Sequence, residues 1–297
     1  MGVISANLLG VVLALTSAVI WGSGDFTGGY ATRRISQFQV LALSAFSGLV
    51  VLAAAALVWH ESFPSLGSTL WSILAGVSGA LGIASLYRAL SFGNAASVAP
   101  TAAVIGAVLP VVYGISTAGV PQPFTLVGFA LAFVGIWLVS DSSTQEAEEA
   151  NQQFRITAPL FRAIDPSFRL ALLAGLGFGG FFIFIGLVEP GKIFTPLIIA
   201  RVFTLLTGLF LMNVNHLPLP PLRTNLPALL AGVFDAGGNL FYILAKQFTR
   251  LDTAAVLAAF YPASTVILAS IILKQSVSTR QKLGVLFCLS AIALISA

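Results

Sequence analysis

The sequence predicts an all-α integral membrane protein in which ten transmembrane helices form two inverted five-helix repeats, and three observations carry that reading. Of its 297 residues, 58% are hydrophobic and only 8% are charged, whereas a soluble domain carries about 25% charged side chains. The apolar residues fall into stretches of about 20, the length that crosses a ~30 Å hydrocarbon layer as a helix. The stretch from Gly232 to Gly284 also repeats that from Gly76 to Gly128 without a gap. Gly76 aligns with Gly232, Val77 with Val233, Ala80 with Ala236, Gly82 with Gly238, Ala107 with Ala263 and Gly128 with Gly284, the signature of one fold written twice.

Taken in order, the first half supplies spans over Leu8–Tyr30, Gln37–Trp59, Ser68–Phe92, Ala95–Ala118 and Phe124–Ser140. The second supplies Ser167–Val188, Phe194–Asn213, Asn225–Phe248, Thr253–Leu273 and Thr279–Ser296. Each run is continuously apolar, without the alternation of a barrel strand, so the spans are helices. No basic segment of the kind that opens a cleaved signal peptide precedes Leu8, so the first run is expected to stay as a span. The long polar interruption from Asp141 to Pro166 divides the chain into a first repeat over 1–140, a linker over 141–166 and a second repeat over 167–297. In the linker, Phe154, Ile156, Leu160, Phe161 and Ile164 interleave with Arg155 and Arg162. That pattern suits either a segment on the membrane surface or a plain solvated connection, and Pro159 breaks any helix there. Five is an odd number, so the second repeat enters the membrane from the opposite side to the first.

The basic residues bear on orientation. Arg33, Arg34, Arg88, Arg155, Arg162, Arg169, Arg223, Lys274, Arg280 and Lys282 flank the odd-numbered connections, with Lys192, Lys246 and Arg250 on the other side; by the positive-inside tendency both termini lie outside. The net charge of +4 thus sits in loops and does not argue for nucleic acid. One cysteine, Cys288, cannot form an intramolecular disulfide, and His60 and His216 alone cannot build a zinc site. No nucleophile elbow, phosphate loop, zinc-protease motif or dinucleotide fingerprint appears, so neither an enzyme nor a cofactor is expected. The expected partners are the lipid bilayer and a small solute, driven by protons or by an exchanged solute.

An ionisable side chain inside a span costs about 2.5 to 3.5 kcal/mol on insertion scales, so each one needs a polar surrounding or a partner. Asp25, Arg201 and Asp235 are such residues. Arg201 and Asp235 lie at depths that let their side chains meet, and Asp25 lies near the end of the first span that faces Arg88 at the end of the third. We expect a wet central cavity in which Arg201 attracts an anionic group such as a carboxylate and an Asp takes up a proton. Asp235, Asn239 and Tyr242 fall on one helical face and read as a cavity wall, or as hydrogen-bonded helix glue. Tyr87, Asn94 and Tyr261 complete the expected lining, together with Lys246, whose position at a span end also suits snorkelling. Pro100 and Pro110 in the fourth span and Pro262 in the ninth remove backbone donors. Kinks at matching places in two inverted halves point to a transport site at the midplane.

With these residues in hand, the chain resembles the EamA-type transporters of the drug/metabolite transporter superfamily over nearly its full length. The resemblance rests on Trp21-Gly22-Ser23, on Leu86-Tyr87-Arg88-Ala89-Leu90 followed by Ala95-Ala96-Ser97-Val98-Ala99-Pro100, on Arg201, and on Tyr261-Pro262 followed by Ser278, Gln281 and Gly284. It implies two inverted five-helix repeats and ATP-independent transport of small metabolites, often export of amino acids or related compounds. It also implies cytoplasmic termini, against the count of basic residues. One departure stands out: where the family usually carries a Gly-Glu pair before the Ser-x-x-Gln-x-x-Gly turn, this chain has Lys274-Gln275. The expectation is a multi-pass secondary transporter working by alternating access through a cavity lined by the first, third, fourth, sixth, eighth and ninth spans. The alternative is a membrane scaffold or receptor subunit with no transport cycle, which would have a dry, sealed interior.

Overall fold

The computed structural model describes residues 2–90, 95–140, 166–274 and 276–296, and within them every regular element is a helix. The first half holds α1 (Gly2–Ala31), α2 (Gln37–Trp59), α3 (Leu66–Leu90), α4 (Ala95–Ala118) and α5 (Pro123–Ser140). The second holds α6 (Pro166–Gly186), α7 (Phe194–Val214), α8 (Leu226–Ala245), α9 (Leu251–Ala258), α10 (Tyr261–Ile272) and α11 (Thr279–Ser296). These make 10 spans long and apolar enough to cross a membrane, because α9 and α10 together form the ninth. The protein is therefore a multi-pass integral membrane protein. Linker residues 141–165, Asn94 and Gln275 lie outside the described residues. The side on which α1 begins is called the near side, and the side reached by the C-terminal ends of α1, α3 and α5 the far side.

Local chemistry sets the helix ends. At α2, Ser36 Oγ accepts from the Phe38 amide at 3.4 Å and the Gln39 carboxamide accepts from the Ser36 amide at 3.0 Å, a capping box of the kind worth about 1 kcal/mol. The break in the ninth span has one cause. Pro262 has no amide proton for the Ala258 carbonyl, and its ring crowds that carbonyl. The chain therefore turns through Ala259 and Phe260 and restarts at Tyr261, the Ala263 amide bonding to the Phe260 carbonyl at 2.9 Å. In contrast, α4 stays one helix through Pro100 and Pro110. The position in α4 that corresponds to Pro262 is Gly106, which keeps its amide donor.

The packing is reciprocal under the shift that carries Gly76 onto Gly232. The α1–α8 contact is matched by α3–α6, α2–α8 by α3–α7, and α1 on the ninth span by α6 on α4; α2 with α7 and α5 with α11 pair across the pseudo-two-fold itself. The match reaches single atoms. A Cβ on Gly76 would fall on the Ala200 carbonyl, and one on Gly232 would fall on the carbonyl of Ser44, the residue equivalent to Ala200. Gly128 likewise presses on Ala291 and Ile295, while Gly284 presses on their equivalents Gly135 and Val139. These glycines allow backbone-to-backbone approach where lipid supplies no hydrophobic driving force. In the α5–α11 seam the Cys288 sulfur, 4% exposed, stands 2.7 Å from where a Cβ on Gly135 would be.

Candidate functional site

Between the two repeats lies a cavity of about 450 Å³, within the range of small-molecule sites. All ten spans reach it: beyond the six expected, α2 contributes Leu52, α5 Val139 and Ser140, and α11 Gln281, while α7 brings the expected Arg201 together with Thr204. Its aromatic wall is Trp21 from α1, Phe178, Phe181 and Phe182 from α6, and Tyr261 at the start of α10. Trp21 meets Phe182 edge-on at 5.4 Å between centroids. Glycine admits this ring, since Trp21 occupies the space a Cβ on Gly238 would need.

The polar groups are few. Arg201, only 8% exposed, donates from Nη2 to Asp235 Oδ2, joining α7 to α8 within the cavity. One turn on, Asn239 Nδ2 donates to the Asp235 carbonyl at 2.6 Å, and Asn239 Oδ1 is buried with no hydrogen-bond partner. Asp25 also lines the cavity, on the stretch of α1 that packs against α8, where a Cβ on Gly24 would be 3.5 Å from the Asp235 amide. Thr265 Oγ1 donates to the Gly22 and Tyr261 carbonyls, each at 3.1 Å, tying α10 to α1 at the break. Pro110, having no amide proton, leaves the carbonyl of Gly106 without its helical donor, and Gly106 lies in the cavity wall.

Other residues expected on the pathway are placed elsewhere. Tyr242 is fully buried behind the wall, tilted against Trp21 and edge-on to Phe182, with its hydroxyl donating to the Phe182 carbonyl at 3.0 Å. It turns away from the cavity face of Asp235 and Asn239 because the α1–α6 crevice accepts the ring and satisfies its hydroxyl. Lys246 directs Nζ to the carbonyls of Gly186 (2.8 Å) and Val188 (2.6 Å), neutralising the C-terminal end of α6. Arg88 is exposed in the last turn of α3, away from the lining. The Tyr87 side chain and the whole of Asn94 lie outside the described residues.

The near side is closed by groups that the sequence alone did not single out. Asp252, with no exposure, holds Arg250 Nη2 at 2.7 Å and the Thr253 amide at 2.7 Å. Arg250 in turn donates to the carbonyls of Ala118 (3.1 Å) and Gly119 (2.7 Å) at the end of α4. A second clasp joins the repeats. Glu61 accepts from the amides of Ile193, Phe194 and Thr195 at 2.9 to 3.1 Å, a carboxylate on the positive end of α7. Beside it, Glu189 accepts from the Ser65 amide at 3.2 Å, and hydrogen bonding by Ser65 holds its carboxyl below the usual carboxylate range. Among the described residues, α4 packs on α9, whereas α10 leans on α1 and α5. The cavity thus reaches toward Ser140 and Gln281 at the far ends of α5 and α11.

Two inverted five-helix bundles enclosing a sided internal cavity define a class of membrane carrier architecture. The model of the EamA-like transporter family matches residues 8–141 and again 167–297, and the chain belongs to that family. A protein of known crystal structure superposes with a TM-score of 0.69 over 98% of this chain and 96% of its own, at 17% identity, a likeness of fold. No curated protein matches the sequence at a significant level.

Proposed function

We propose that this chain is a secondary transporter that moves small metabolites, amino acids or related compounds among them, out of the cell through the central cavity by alternating access. The observation that carries the reading is the cavity itself. It lies where inverted repeats meet, holds an ion pair inside the membrane, and is closed on the near side while extending toward the far side. That is one state of a two-state cycle in which the pseudo-two-fold relates inward- and outward-facing forms. In the reciprocal state α4 and α9 separate and α10 closes on α4. A scaffold or receptor subunit has no use for an open interior of this volume, and a proton or an exchanged solute supplies the energy.

The test is flux into and out of proteoliposomes containing the full chain, against a panel of amino acids and small metabolites, with and without a proton gradient. Saturable flux that vanishes with protein-free vesicles is expected. A monodisperse, correctly folded protein that moves no member of the panel in either direction would sink the reading.

A further inference from the structure

The charge balance of the cavity points to the chemistry of its substrate, an inference that rests on the transporter reading above. Among the described lining residues the groups that carry full charge are Asp25, Arg201 and Asp235. Arg201 is engaged by Asp235, so the guanidinium is no longer an open anion receptor, and the pair contributes no net charge. Asp25 forms no hydrogen bond or ion pair among the described residues and is exposed within the cavity. With both carboxyls ionised, one negative charge remains uncompensated in the membrane interior, where ionised groups pair or mark a ligand path. Asn239 supplies the second observation. It is 6% exposed, its amide nitrogen is used by the Asp235 carbonyl, and its Oδ1 is an acceptor without a donor. A buried acceptor left unsatisfied costs about 1 to 3 kcal/mol, so a ligand whose N–H groups meet Oδ1 once the carboxamide turns into the cavity gains what the unliganded protein lacks. The remaining wall is apolar and includes the rings of Trp21, Phe178, Phe181 and Tyr261, residues of the kind that attract cations.

We infer that the cavity binds a protonated amine with an apolar or aromatic body, Asp25 serving as its counter-ion and Asn239 Oδ1 as a hydrogen-bond acceptor. An isolated carboxylate ligand finds no free cation in the described lining.

The experiment compares three ligands of one shape on the full chain in lipid nanodiscs at pH 7 by isothermal titration calorimetry: 2-phenylethylammonium, the neutral 2-phenylethanol and the anion 3-phenylpropionate. The ammonium is expected to bind about tenfold or more tightly than the alcohol, a margin of ~1.4 kcal/mol, with the anion weakest. Asp25→Asn is expected to abolish the margin, with an unchanged size-exclusion profile and helical circular dichroism showing that the variant is folded. Asn239→Leu is expected to reduce ammonium affinity several-fold. Three outcomes overturn the inference: the anion binds best, the ammonium margin survives D25N, or none of the three binds. The same compounds in proteoliposomes separate this inference from the one it rests on. Saturable flux of the anion or the alcohol alone removes the amine assignment and keeps the transporter, whereas no flux of these or of the wider panel removes both.

Discussion

Arg201 and Asp235 illustrate what a residue in this environment must do. Removing one partner of a buried ion pair costs about 3 to 5 kcal/mol because it strands the other charge. Asp235 keeps a side-chain exposure of 38% toward the cavity, so the lower end of that range applies. R201Q and D235N are each expected to lower the unfolding midpoint in detergent, and the double variant R201Q/D235N to lose less than the sum. A double-mutant cycle should give a coupling of roughly 1 to 3 kcal/mol; strict additivity would show that the two are not energetically joined. Both singles are also expected to reduce flux at least tenfold, scored per correctly folded molecule. These two residues were legible in the sequence because a charge inside an apolar run is conspicuous. Asp252 was not. It opens the ninth span, two residues after Arg250 and just before Thr253, where a charge reads as a loop residue; only the approach of α4 reveals that it is enclosed. Tyr242 misled for the opposite reason, since helical spacing gives a residue's face but not which neighbour fills it.

At the scale of elements, the broken ninth span and the clasp at its start belong together. Arg250 occupies carbonyls at the C-terminal end of α4, which must be released before α4 and α9 can part. R250A is therefore expected to shift the balance toward the near-side-open form. Ala259, 1% exposed and on the cavity wall, offers a reporter: in A259C a membrane-impermeant maleimide applied from the near side should react about tenfold faster when R250A is added, matching a ~1.4 kcal/mol shift. An unchanged rate would exclude the clasp from gating. The break itself follows from Pro262 and could be placed from sequence, whereas the continuity of α4 through two prolines could not. Composition shows which donors are missing, and neighbouring helices decide whether the gap interrupts the helix.

For the molecule as a whole, the duplication makes a prediction in pairs. Backbones meet at Gly76 and at Gly232, so G76L and G232L should be equally damaging. Each costs more than the ~1 to 3 kcal/mol of ordinary overpacking, because the obstacle is main chain. Loss of the monodisperse peak in size-exclusion chromatography is the expected readout. Gly29 has nothing within 4 Å of its Cβ direction, and G29A should run as the parent does. Loss in only one of the two leucine variants would mean that the repeats do not share a packing scheme. This level was the most legible, since a gap-free internal repeat and an odd number of spans per half together dictate topology. The near-side closure was the least legible. Two copies of one sequence pattern carry no record of which end is shut.

The seam between α5 and α11 leaves a practical inheritance. The chain's one native thiol, on Cys288, is pressed between two outer helices against Gly135, out of reach of water-borne reagents. Cysteines introduced singly along the cavity can thus be read against a silent background, with the parental residue left in place, and the opening and closing of each side followed in the unaltered protein frame.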